Sequence, residues 1–274
     1  MRKAFLLFIC IGAIACNSSR KLAVNVLAKE DQPLADSMLA WALDHEAIYT
    51  LLDTIKPISS VKYFQYPVAK RPGVKDGDRV ATHPDSLPAT AAQYARICRQ
   101  LSTGDHLFVM MPFKATSGQD RTMEVCVVRR SKFAAAIASH PEFFSQWGFT
   151  PATDPATILA VIEYETPHDR NRAYGYFFGY PDYAVDFFVD ANRKVEADTS
   201  IRRVPRDFFA IPVFAAKTGY FTWAMPKGHQ PSAADSAMYK AAMVTLDKYK
   251  QERAAYRGPQ GMKATALWEK WKRK

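Results

Sequence analysis

Residues 172–189, RAYGYFFGYPDYAVDFFV, set eight aromatic rings around two glycines and one proline. Rings in that density leave few ways to satisfy both water and backbone. Gly179 can end one helix in a left-handed conformation without a Cβ penalty, and Pro181 can open the next with its φ already set. Asp182 then sits at the positive end of the second helix. Residues 170–192 therefore read as two helices joined at Gly-Tyr-Pro. Ala184, Val185, Phe187, Phe188 and Val189 leave the second helix little polar face, so it is expected to be buried on most sides. At about 1.5–3 kcal/mol for each buried ring, the hairpin is expected at the centre of the fold. The hydroxyls and ring faces of Tyr174, Tyr180 and Tyr183 are the part of the stretch that can also line a pocket for a sugar or an aromatic ligand.

The remaining elements follow from periodicity. Leu39, Leu43, Ala47, Leu51 and Ile55 recur every fourth residue and predict one helix between Pro33 and Pro57. Residues 61–66 read as a strand, and residues 67–86, with three prolines and Asp76-Gly77-Asp78, as a long polar loop or protruding hairpin. Asp-Gly-Asp lacks the further alternating oxygen ligands of a calcium loop and reads as a tight turn. Residues 87–101 are helical in spacing. The apolar run 106–113 and the alternation of Met123, Val125 and Val127 predict an antiparallel hairpin, its first strand covered on both faces. Residues 131–147 return to helix, while 157–165 fit helix or strand. Residues 208–214 and 220–225 read as strands, with Pro212 placing the first at an edge or bulge. Met238, Ala242, Thr245, Tyr249 and Tyr256 mark a long basic helix.

About five strands in hairpin order, covered by six or so helices, predict an α+β fold with an antiparallel sheet. A doubly wound parallel sheet is the alternative, but regular strand–helix alternation and a glycine-rich first turn are lacking.

The chain opens MRKAFLLFICIGAIAC: two cations, a short apolar run, then small residues before Cys16. The run falls short of the ~20 residues a membrane-spanning helix needs and reads as an export signal. Ala13-Ile14-Ala15-Cys16 resembles the lipobox of bacterial lipoproteins, with Ala13 in place of the commoner leucine. The resemblance covers these residues only. It implies cleavage before Cys16, lipidation of Cys16 and a domain tethered to a membrane, since two or more acyl chains hold a protein firmly. Asn17, rather than an acidic residue, points by analogy with enteric sorting to the outer membrane. The expected organisation is a signal peptide over 1–15, a lipidated tether over 16–30 and one globular domain over 31–274 ending in the basic helix.

Loss of Arg2 and Lys3 lowers the formal charge from +10 to +8, and residues 236–274 hold ten Lys or Arg against three Asp or Glu. For an exported chain, such a tail fits anionic lipid or acidic glycan, or simply a solvated helix face. No nucleic-acid motif is present. Cys98 and Cys126 fit two buried thiols as well as a bridge.

Candidate chemistry concentrates at residues 163–172, where Glu163, Glu165, His168, Asp169, Arg170 and Arg172 lie within ten positions. If residues 161–165 are extended, both glutamates share a face and can divide acid and base work; if helical, they splay apart. A solvated helix end with Glu–Arg pairs is the simpler explanation of the cluster. Tyr180 and Asp182 at the helical corner, and Lys227 and His229 in a glycine-containing loop, complete the candidate binding residues. His45-Glu46 and His83 read as surface or capping residues. The histidines lack metal-ligand spacing, so no metal and no cofactor is expected. No nucleophile elbow, His-Glu-x-x-His, Cys-x-x-Cys, phosphate loop or dinucleotide fingerprint occurs. The expectation is a lipid-anchored envelope protein that binds a ligand or partner. The alternative is a hydrolase of an envelope polymer or exported substrate, with Glu163 or Glu165 and His168 as acid and base and Arg172 as an electrostatic clamp.

Overall fold

The computed structural model describes residues 27–70, 79–81, 87–117 and 120–273. The signal peptide, the lipobox and Cys16, most of the tether, Asp76-Gly77-Asp78 and His83 lie outside them. The elements, in chain order, are α1 (Gln32–Asp44), α2 (Ile48–Leu51), β1 (Ile58–Lys70), β2 (Arg79–Ala81), α3 (Leu87–Leu101), β3 (His106–Ser117), β4 (Asp120–Arg129), α4 (Arg130–Ser139), α5 (Pro141–Phe144), α6 (Pro155–Glu163), α7 (Pro167–Phe177) and α8 (Asp182–Ala197). They continue with β5 (Arg206–Ile211), β6 (Phe221–Pro226), α9 (Ala233–Arg253), β7 (Arg257–Gly258), β8 (Gly261–Met262) and α10 (Ala264–Lys272).

The architecture is mixed helix and antiparallel sheet. Three long strands form the central sheet in the order β1-β4-β3, and short β2 pairs with the far end of β1. This corrects the expected sheet of about five strands. The strands after residue 205 form a separate hairpin, β5–β6, and β7–β8 another. Both faces of the central sheet are already covered by helices. The alternation along β4 shows this: Val125 and Val127 enter one core with Val61 and Phe108, whereas Cys126 and Val128 enter a second with Ile58, Val109 and Met111. The first core is closed by α1, α3, β6, α9 and α10, the second by α4, α5, α6 and α7. Cys98 lies in the first core and Cys126 in the second, both as free thiols.

Three expected helices are redrawn. The helix between Pro33 and Pro57 breaks after Asp44, although Leu39, Leu43, Ala47 and Leu51 are all buried as their spacing requires. Asp44 accepts from Tyr249 and twice from Arg253, which docks α9 at the break. The helical stretch at 131–147 is interrupted at His140, where Pro141 starts α5. The basic tail is two helices, α9 and α10, separated by the β7–β8 turn.

The aromatic corner forms as its residues dictate. Gly179 has φ +76° and Pro181 precedes the first turn of α8, which carries Asp182. Gly175 lets α7 and α8 cross closely, since a Cβ there would meet Val185 Cγ2 at 2.7 Å. Burial of α8 is lower than expected: Ala184, Val185, Val189 and Ala191 are buried, but Phe188 is exposed. The helix packs one stripe against β6 and α7 and turns the rest to solvent.

Candidate functional site

The segment 163–172 is divided by its own helix boundaries. Glu163 is the last residue of α6, its C-cap Tyr164 lies between the two glutamates, and Thr166 caps α7 by accepting from Asp169 N. Glu163 is buried, accepting from Lys114 N at 2.8 Å and from Tyr174 Oη at 2.9 Å, with Arg170 Nη1 3.6 Å away. Glu165 instead accepts from Trp147 Nε1 at 2.8 Å. His168 pairs with Glu196 at 2.8 Å, and Arg172 with Asp186 and Tyr176 Oη. Each of these side chains is held by a different partner.

The remaining candidates occupy other places. Tyr180 packs among Phe178, Phe221 and Trp223, at 5.7–6.2 Å between ring centroids. Asp182 is 3.5 Å from His140 Nε2 and largely exposed. Lys227 pairs with Asp207 at 2.6 Å. His229 stacks on Tyr183, whose hydroxyl donates to Asp235 and accepts from Trp223 Nε1. Of the eight candidate binding residues, Tyr180 and Glu163 border the polar network beneath the corner.

That network contains residues the sequence reading passed over. Lys56 is fully buried, its Nζ 2.5 Å from Glu46 Oε2 and 4.4 and 5.1 Å from the ring centroids of Phe221 and Phe178. The corner is built onto this lysine: a Cβ on Gly179 would lie 3.1 Å from both Ile55 O and Pro57 Cδ. Part of the aromatic stretch thus cages one of the protein's own cations. Burial pulls the Lys56 pKa below its ordinary value while the Glu46 charge supports the ammonium. Glu46, expected at the surface or in a cap, is in fact the counter-ion of a buried lysine, and its neighbour His45 is buried too, hydrogen-bonded to Trp41 O at 2.6 Å.

Glu46 Oε1 also accepts from Ser60 N at 3.5 Å, and Ser60 Oγ accepts from Tyr63 Oη at 2.7 Å. Tyr63 lies opposite Glu124 in the β1–β4 register. Glu124 is 7% exposed. Burial raises its pKa to about 7; hydrogen bonds to Ser60 and Tyr63 oppose the rise, and the negative charges of Glu46 and Glu163 add to it. The nearby cations are committed, Lys56 to Glu46 and Arg170 to Glu163. Glu124 thus has no ion-pair partner among the described residues, and its carboxyl is able to hold or release a proton near neutrality. Its outer neighbours are aromatic: Tyr63, 43% exposed, meets Phe113 edge-on at 6.0 Å, and Arg121 links Phe113 O to the exposed Tyr164 hydroxyl.

One sequence signal could have found this site. Glu124 shares its strand face with Cys126 and Val128, so its charge interrupts an inward-facing alternation. Among the described residues, no group of three or more His, Cys, Asp and Glu side chains is placed to hold a metal ion, and no helix is long and apolar enough to cross a membrane. No protein-family model, curated protein or solved structure matches the chain.

Proposed function

We propose that this chain is an exported, lipid-anchored envelope protein whose folded domain binds a ligand, with Glu124 as the polar contact and Tyr63, Phe113 and Tyr164 as an aromatic rim. Cys16 carries the lipid, and the basic tail faces anionic lipid or acidic glycan. The observation that carries the binding reading is the buried Glu124 carboxyl, which has no ion-pair partner among the described residues. Burying the charged form is costly, and perturbed carboxyls of this kind concentrate at functional sites. A sugar fits the chemistry: its hydroxyls donate to the carboxylate and its apolar face lies on the rings. The hydrolase alternative draws less support, because Glu165 and His168 are engaged by Trp147 and Glu196 rather than by each other.

The test is thermal-shift titration of wild type and Glu124→Gln with a panel of neutral and amino sugars at pH 8. A sugar that stabilises wild type and fails to stabilise the variant supports the reading. Equal responses of the two proteins across the panel contradict it.

A further inference from the structure

We infer that the groove between α1 and the β7–β8 turn with α10 receives the glycerol-phosphate headgroup of an anionic phospholipid; this rests on the membrane-tethered reading above. The groove encloses about 1280 Å³. Its lining is amphiphilic, with Leu27, Pro33 and Met262 among its apolar residues and Lys263, Lys272 and Arg273 as its cations. Leu27, which belongs to the tether expected over 16–30, lines this same groove.

Ion pairing sorts the basic tail. Lys250 is held by Asp247, Arg253 by Asp44, Lys270 by Glu252 and Lys272 by Glu269. Arg257, Lys263 and Arg273 are exposed and have no ion-pair partner among the described residues; Arg257 adjoins the groove at Gly258. Of the two acids in the lining, Glu269 is paired with Lys272, while Asp36 accepts from Thr265 and Gln32 and keeps its charge, so the groove's cations outnumber its acids three to two. Gln100, also in the lining, has a buried Oε1 with no hydrogen-bond partner among the described residues. Unneutralised cations suit a phosphodiester, and the amide oxygen suits a headgroup hydroxyl. A lipid anchor combined with a cationic patch is also the two-point attachment that makes membrane binding stable and fixes orientation.

The two cores use only residues 27–271, so a chain starting at Asn17 keeps every core contact described while carrying no acyl group. Sedimentation of that chain with phosphatidylglycerol vesicles should show binding that weakens with salt and is absent on phosphatidylcholine. The triple variant Arg257→Gln/Lys263→Gln/Arg273→Gln should bind about a hundredfold more weakly, given the usual contribution of each cation near a charged membrane. Gln100→Leu should weaken binding several-fold with its melting temperature unchanged. Equal binding to both vesicles, a triple variant that binds like wild type, or a groove that instead mediates self-association in gel filtration would overturn the inference. Failure here leaves the anchor untouched, because the mass of residue 16 decides that separately.

Discussion

Replacing Glu124 by Gln should change how stability depends on pH, and the size of the change follows from the site. Burial raises the carboxyl from 4.5 to about 7. The folded protein therefore keeps a proton that the unfolded chain has lost. That contribution is fully present below pH 4.5 and disappears as pH rises through 7. At 1.36 kcal/mol per pKa unit, the total is roughly 3 kcal/mol. His106 works in the opposite direction, because burial and the charge of Arg129 lower its pKa to about 4. Its protonation penalty is relieved as pH rises from 4 to 6.5, the ordinary value, so wild-type stability should change little across that range. Glu124→Gln keeps the His106 contribution and loses the opposing one. Urea denaturation followed by tryptophan fluorescence from pH 4.5 to 8 should show the variant gaining about 3 kcal/mol on wild type across the range. A stability difference between the two proteins that does not vary with pH would refute the assignment of a raised pKa to Glu124.

Three further outcomes test the surrounding structure. Lys56→Met should cost about 3–5 kcal/mol because it strands Glu46, and Lys56→Met/Glu46→Gln should recover much of the loss; additive effects in the denaturation cycle would contradict a coupled buried pair. Gly179→Ala should cost at least about 1–2 kcal/mol from the left-handed backbone alone, with the Ile55 and Pro57 contacts adding to it; an unchanged melting temperature would place the corner elsewhere. Cys98, pushed up to about 12 by burial, and Cys126, also pushed up by burial, should resist an aromatic disulfide reagent until denaturant is added; rapid reaction of either thiol in the native protein would contradict its burial.

The aromatic corner was legible because its instructions are local: Gly179, Pro181 and Asp182 each act on the backbone beside them. The covered strand 106–113 and the alternation of Val125 and Val127 were legible for the same reason, since a period of two reports which face is buried. Sheet membership was not, because nothing in residues 206–226 says whether they extend the first sheet or form a hairpin against α8. The break after Asp44 was hidden too, as the side chains that hold Asp44 there, Arg253 and Tyr249, lie some two hundred residues away. The candidate site shows the sharpest contrast. Glu165 and His168 are neighbours in sequence, but Thr166 starts a new helix between them and each finds a partner elsewhere. Glu46, Lys56 and Glu124 are scattered singly among apolar residues, and only the folded sheet and the corner bring them into one network.

The membrane-tethered reading is tested most directly by the intact mass and N-terminal peptide of the chain recovered from the cell envelope. The account expects a protein beginning at Cys16, its sulfur carrying diacylglycerol, and its release from membranes on Cys16→Ala substitution. A full-length chain retaining residues 1–15 with a bare Cys16 thiol would contradict it.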